Sequence, residues 1–116
     1  MGLTSEGNYL AMEGYGPVSV AKMQWRQILR QLVGIRRSRN HCKCNSGWGT
    51  PTRALTKITD SWESWVENTK KRNPMRRTTT PEDVASTNSM LLRPDADFIN
   101  CSIIYCDGGE SRSGTL

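Results

Sequence analysis

The sequence predicts an incomplete α/β domain, and three observations carry that prediction. Apolar residues recur at spacings of three and four in two separate stretches, which marks helices with one covered face. Thr80-Pro81-Glu82-Asp83 has the form of a further helix start. Ser102 to Cys106 is a short β-rich run that ends in the turn Asp107-Gly108-Gly109. The order is helix, blank, helix, helix, strand, so an α/β layer is expected with one strand missing from the blank.

The opening, SEGNYLAMEGYGP, reads as loop, with Gly7, Gly14, Gly16 and Pro17. Pro17 suits the first turn of a helix. Val18, Ala21, Trp25, Ile28, Leu29 and Leu32 then form one stripe. Gly34 is expected to end that helix, and Arg30, Arg36 and Arg37 suit its negative end. Residues 34 to 52 lose all periodicity. Order returns at Thr52 to Ile58 and more firmly at Ser61 to Arg72, where Ser61 can cap and Trp62, Trp65, Val66 and Thr69 share a face. Asn73-Pro74 breaks that helix. Val84, Met90, Leu91 and Leu92 are the apolar positions of the next one, which Pro94 closes. The paired tryptophans read as packing groups, and Cys101 and Cys106 as small buried hydrophobes.

The totals bound the function. A chain of 116 residues holds one small domain, and 35% apolar residues allow only a thin core. No run of 18 apolar residues offers a membrane span, and no basic start followed by an apolar stretch marks a secretory signal. Four cysteines without an export signal argue against a disulfide framework, so a reducing, cytoplasmic setting is expected. The net charge of +5 is concentrated at Arg36 to Lys43 and at Lys70 to Arg77. Such runs are either solvated faces or footprints for an anionic partner.

Ser5, Tyr15 and Lys22 carry the first chemical signal. A lysine close to a tyrosine hydroxyl favours the phenolate. Such a tyrosine can donate a proton or stabilise an enolate oxygen. On spacing alone, Tyr-x6-Lys reads rather as an exposed tyrosine and a surface lysine.

The rest of the chain sharpens that pattern. TSEG, YGPVSVAK, TPTRAL and RNPMRRTTTPEDVA, then Leu91-Leu92, Phe98-Ile99 and Ile103 to Gly109, together resemble the C-terminal end of the short-chain dehydrogenase/reductase family. Within it, Tyr-x6-Lys is similar to the enoyl-[acyl-carrier-protein] reductase branch, since Val18 rather than a tyrosine stands four before Lys22. Ser5 lies seventeen before Lys22, where that family places an active-site serine or, in enoyl reductases, a tyrosine.

The resemblance implies the C-terminal part of a Rossmann-like, doubly wound parallel sheet, with residues 1–116 forming a partial domain that holds the catalytic half. It implies NAD or NADP as cofactor, an acyl thioester as substrate, acyl carrier protein as a partner, and homo-oligomers built on the long helix and last strand. By the same similarity Tyr15 faces the thioester carbonyl, and Ser5 lines the pocket. Lys22 holds the nicotinamide ribose, and Thr50 and Thr52 lie beside the cofactor. The sequence has no G-x-G-x-x-G, so the pyrophosphate-binding half is absent from it. Inactivity of the chain alone is therefore expected. Met1 reads as an internal start, because a family member has a long segment before Ser5.

Two departures stand out. Ile99-Asn100-Cys101 replaces an expected Ile-Thr-Gly turn, so a left-handed backbone there would strain Cys101. Asn88 occupies a helix position expected to be apolar.

Val33 to Gly49 does not share the resemblance. VGIRRSRNHCKCNSGW stands where a helix end and a buried strand belong. A slip of one nucleotide accounts for it. Arg39 to Trp48 can be encoded so that the shifted frame reads G-I-T-A-N-A-I-Q-A-G, a strand of the required type. His41, Cys42 and Cys44 would then be accidents of the code. Without a proper strand, the sheet is expected to leave an edge unpaired and the chain to fold poorly. The rival reading is a small basic module that binds zinc or nucleic acid. It would use His41, Cys42, Cys44 and the Lys70 to Arg77 cluster, although Cys-x-Cys is tighter than usual zinc spacing. The sequence favours the reductase, with no metal, no membrane and no nucleic acid among its partners.

Overall fold

Parallel strands cannot be joined by a tight turn, so each pair needs a long crossover, and the order of elements follows from that need. In the computed structural model, which describes residues 1–5, 7, 14–35, 43–46 and 50–113, strand β1 (Gly2–Ser5) leads to helix α1 (Gly16–Ile35) and then to strand β2 (Lys43–Ser46). Helices α2 (Leu55–Ile58), α3 (Trp62–Arg72) and α4 (Pro81–Leu91) follow. A single 3-10 turn (Pro94–Ala96) then leads into strand β3 (Ile103–Cys106). The sheet order is β1-β2-β3, all parallel, with Gly2 beside Lys43 and Lys43 beside Ile103.

The middle strand corrects the expected gap. Lys43–Ser46 pairs along its full length with both neighbours, so no sheet edge is left bare at that position. The physical reason is that ladder hydrogen bonds join main-chain groups, which every non-proline residue carries. A segment that lacks the usual apolar strand residues can still fill the slot. Gly34 does not stop α1 either, since the helix runs through Ile35. A glycine in the last turn costs only about 1 kcal/mol, less than the packing of a long helix returns.

α1 also departs from a simple buried stripe. Leu29 is buried, but Trp25, Ile28 and Leu32 remain substantially exposed. Three short strands present too little surface to cover them.

α3 begins without the expected Ser61 cap. The Ser61 side chain makes no cap hydrogen bond, and its carbonyl instead accepts from Ser64 N at 3.1 Å and Trp65 N at 3.3 Å. The helix ends as Asn73-Pro74 predicts, with Lys70, Lys71 and Arg72 in its negative last turn. α4 has the start its sequence announces. Asp83 N donates to Thr80 Oγ1 at 3.3 Å, Thr80 N donates to Asp83 Oδ2 at 2.9 Å, and Pro81 occupies the first turn. Arg77 grips the same carboxylate with both guanidinium nitrogens, at 2.6 and 3.0 Å. Those charge-assisted bonds come first, and the Thr80 N–H second, in holding the Asp83 carboxyl well below the usual carboxylate range.

The core sits where α4 meets β3. Leu91 is 1% exposed and packs with Ala96, Ile99 and Ile104. The C-terminal turn is locked from inside. Asp107 is buried and accepts from Gly109 N at 3.0 Å and Ser111 N at 3.1 Å, while Gly108 and Gly109 take φ of 62° and 87°. Asn73, 2% exposed, donates from Nδ2 to Asp107 O at 2.8 Å and accepts from Met75 N at 2.8 Å. Glu110 turns inward against Arg72, and burial pushes its carboxyl above the ordinary glutamate range.

Cys101 has φ of 54°, so the missing glycine is felt in the left-handed turn as expected. It is exposed, which corrects its expected burial; Cys106 is half-buried and accepts from Thr87 Oγ1 at 3.2 Å.

These features generate three measurable outcomes. Thr80→Ala removes the cap acceptor and lowers stability by about 1 kcal/mol in urea unfolding. Cys101→Gly relieves left-handed strain of about 1 kcal/mol but adds unfolded-state entropy, so the net gain in the same assay is roughly 0.5 kcal/mol. Asp83 has a depressed folded-state pKa, so its contribution is present above about pH 4 and is lost as pH falls below it. Acid unfolding of Asp83→Asn should therefore show a weaker pH dependence below that point than the parent chain.

Candidate active site

The end of β1, the entry to α1, the Thr50–Thr52 segment and the start of α4 converge on one cleft of about 640 Å³. Its lining includes Ser5, Tyr15, Lys22, Thr50 and Thr52, the five residues that the family resemblance had pointed to. Residues seventeen apart meet because the chain leaves β1 and returns along α1.

Ser5 stands at the last position of β1, and its Oγ lies 2.7 Å from Tyr15 Oη, a hydrogen bond in which either hydroxyl can donate. Tyr15 is 6% exposed, and its carbonyl accepts from Ser19 N at 2.9 Å at the start of α1. Lys22, two turns into that helix, donates from Nζ to the carbonyl of Leu3 at 3.4 Å. This contact ties the ammonium to β1, and Lys22 lines the same cleft as the two hydroxyls. Main-chain acceptors carry no side-chain signature, so the role of Leu3 was not legible in the sequence.

Thr50 and Thr52 form the opposite rim. Thr52 N donates to Thr50 O at 2.8 Å, and Thr52 Oγ1 accepts from Leu55 N at 3.3 Å, where the chain turns into α2. The remaining wall is apolar: Val18, Leu55, Ile58, Val84 and Ala85. Their spacing had marked several of these as helix packing positions, and periodicity alone does not separate a core face from a pocket wall. Asn88 lines the same cleft, and its Oδ1 is buried without a hydrogen-bond partner. An apolar slot with a few convergent hydroxyls and one ammonium can take a mainly hydrocarbon ligand and stabilise charge at one oxygen.

A second hollow of about 320 Å³ lies at the end of β3, beside Arg77, Thr79, Thr87 and Cys106. Its polar groups serve one another: Arg77 binds Asp83, Thr79 Oγ1 donates to Cys106 O at 3.2 Å, and Thr87 Oγ1 donates to Cys106 Sγ.

The rival metal and nucleic-acid features fare differently. His41 and Cys42 lie outside the described residues, and Cys44 belongs to β2. Among the described residues no three of His, Cys, Asp and Glu gather as metal ligands. Much of the basic cluster serves the fold: Arg72 pairs with Glu110, Arg77 with Asp83, and Arg76 donates to Lys71 O at 2.8 Å. Among the described residues no helix is long and apolar enough to cross a membrane.

Known proteins resemble this chain over most of its length. The family model described as enoyl-(acyl carrier protein) reductase matches residues 1–111. The enoyl-[acyl-carrier-protein] reductase [NADH] FabI of Bacillus subtilis (strain 168) is 31% identical over 108 residues, which is 92% of this chain and 42% of the relative. Two solved structures share the fold. The Plasmodium berghei enoyl-acyl-carrier-protein reductase, solved with triclosan, has a TM-score of 0.84 at 23% identity, over 97% of this chain and 41% of that one. The Aquifex aeolicus VF5 enoyl-[acyl-carrier-protein] reductase (NADH) has a TM-score of 0.80 at 24% identity, over 98% of this chain and 44% of that one. The chain thus spans less than half the length of these relatives. The match of the family model to residues 1–111 shows that the chain belongs to the enoyl-(acyl carrier protein) reductase family, and the solved structures share its α/β fold.

Proposed function

We propose that residues 1–116 form the catalytic half of an NAD(P)H-dependent enoyl-acyl-carrier-protein reductase, silent on its own. In this reading the three strands are the C-terminal portion of a doubly wound parallel sheet. The observation that carries the reading is the Ser5–Tyr15 hydrogen bond of 2.7 Å in a largely apolar cleft that Lys22 also lines.

The donor set fits one part of the cofactor. Lys22 and the Thr50 and Thr52 hydroxyls offer an ammonium and two hydroxyls at a cleft rim, which suits a ribose and a nicotinamide. The pyrophosphate has no counterpart, because the sequence contains no Gly-rich strand-to-helix turn of the dinucleotide-binding type.

A reduced nicotinamide, when bound, supplies a hydride to the β-carbon of an enoyl thioester. Negative charge then gathers on the thioester carbonyl oxygen. Tyr15 is the group to meet it, since its hydroxyl lines the cleft and is held in place by Ser5. A buried donor aimed at developing charge acts with little reorganisation. Ser5 fixes the phenol, and Lys22 adds positive charge near it. Val18, Leu55, Ile58 and Val84 would take the acyl chain and exclude water. Acyl carrier protein would deliver the thioester in a cytoplasmic setting. The exposed Trp25, Ile28 and Leu32 face of α1 would pack in a homo-oligomer.

The test separates binding from turnover. A crotonyl thioester of pantetheine should shift the amide signals of Ser5, Tyr15 and Val84 in the chain alone, with no oxidation of NADH or NADPH. Failure of the thioester to perturb these signals, or steady turnover by the chain alone, contradicts the proposal. Fused behind the dinucleotide-binding segment of the Bacillus subtilis relative, the chain should turn over, and Tyr15→Phe should then lower kcat by about 100-fold with little change in KM.

A further inference from the structure

We propose that Gly2 is a positioning residue for Lys22: the absence of a side chain there lets α1 approach β1 closely enough to hold the ammonium against the Leu3 carbonyl. The inference rests on the reading of Lys22 as part of the active site and adds to it what sets its location.

The geometry is explicit. A Cβ added at Gly2 would lie 2.3 Å from Trp25 Nε1 and 2.5 Å from Leu29 Cδ1, with Trp25 Cδ1 at 3.1 Å. Real carbon contacts do not approach so closely, so the neighbours must give way. Trp25 and Leu29 are four apart on α1 and face β1 together. Trp25 is 44% exposed and has room to swing aside, but Leu29 is 4% exposed and has none. With Leu29 buried, relief pushes α1 and β1 apart.

Lys22 lies on the same helix, one turn before Trp25, and its hold on β1 is a single hydrogen bond at 3.4 Å, already near the limit of such contacts. The acceptor, Leu3 O, belongs to the residue next to Gly2. Any outward shift of α1 at Gly2 thus opens the Lys22 contact first, whereas Tyr15 and Ser5 sit beyond it at the other end of the strand. A tryptophan against a glycine is a size-matched pair, and the pair sets the helix-to-strand distance at the point where the ammonium must reach across.

Limited acetylation of the chain by an N-hydroxysuccinimide ester, read by peptide mass spectrometry, reports the outcome without cofactor or substrate. Lys70, exposed and distant from β1, serves as the internal reference. In Gly2→Ala and more so in Gly2→Val, Lys22 should react faster relative to Lys70, by about fivefold in the larger variant. In Gly2→Ala/Trp25→Ala/Leu29→Val, where both contacted groups are trimmed, the ratio should return towards that of the parent. General loosening of the fold would persist in the trimmed variant, which removes further packing groups, so only a specific clash is relieved there. An unchanged ratio in the single variants overturns the proposal, and so does a raised ratio that the trimmed variant fails to restore. Should Gly2→Val fail to fold, Gly2→Ala and the trimmed variant still decide. The active-site reading fails separately, through loss of thioester binding in the parent chain, which this ratio does not measure.

Discussion

The main-chain ladder through β2 is the constraint on which the rest depends. β1 carries Ser5 and the Leu3 carbonyl, and β3 carries the strand that packs on Leu91; neither pairs with the other directly. Only Lys43–Ser46 between them makes one sheet. Were that slot empty, two strands would present unpaired N–H and C=O groups inward, at a cost of order 1–3 kcal/mol for each group left buried. A segment of any non-proline composition removes that penalty. This is why a stretch so unlike its surroundings can sit in the centre of the sheet, while the side chains it brings remain the least legible part of the molecule.

The legible parts are those where local chemistry alone selects the conformation. Thr80-Pro81-Glu82-Asp83 could be read directly, because a capping hydroxyl, a fixed proline φ and an acid at the positive helix end all favour the same start. Asn73-Pro74 and Asp107-Gly108-Gly109 were likewise readable as breaks. Their mutual bond, Asn73 Nδ2 to Asp107 O, was not, since nothing local links residues 34 positions apart. Ser61 shows the opposite failure: it has the right residue type for a cap, yet its carbonyl and not its hydroxyl receives the first N–H groups. The stripe on α1 misled for a third reason. Periodicity reports that a face is apolar, and the area of the neighbouring sheet decides whether it is covered.

The site was legible through the spacing of Ser5, Tyr15 and Lys22, although spacing by itself could not distinguish a cluster from three scattered residues. The fold supplies what spacing lacks. Placing Ser5 at the end of a parallel strand and Tyr15 at the mouth of the helix that follows brings both hydroxyls to the carboxyl end of the sheet, where open α/β folds form their crevices. The Val18, Leu55, Ile58 and Val84 wall follows from three helices meeting there. None of these residues announces a pocket, because in sequence they look like any other covered helix position.

The polar groups of the cleft and of the scaffold around it are met unevenly. Ser5 and Tyr15 bond each other, and Lys22 has one long contact to a main-chain carbonyl. Among the described residues Asn88 Oδ1 has no such partner, and neither has Glu110 Oε2, whose burial outweighs the help it receives from Arg72. Each of these is an unmet polar group that a folded chain tolerates only against a surplus elsewhere. With a thin core built around Leu91, that surplus is small. The Ser5–Tyr15 pair is thus better supported than the scaffold around it: a left-handed cysteine where the resemblance expects glycine, an amide on an apolar wall, and a carboxylate only half-answered. Stability and chemistry are set by different residues here, so relieving the scaffold at Cys101 can raise the first without touching the geometry that serves the second.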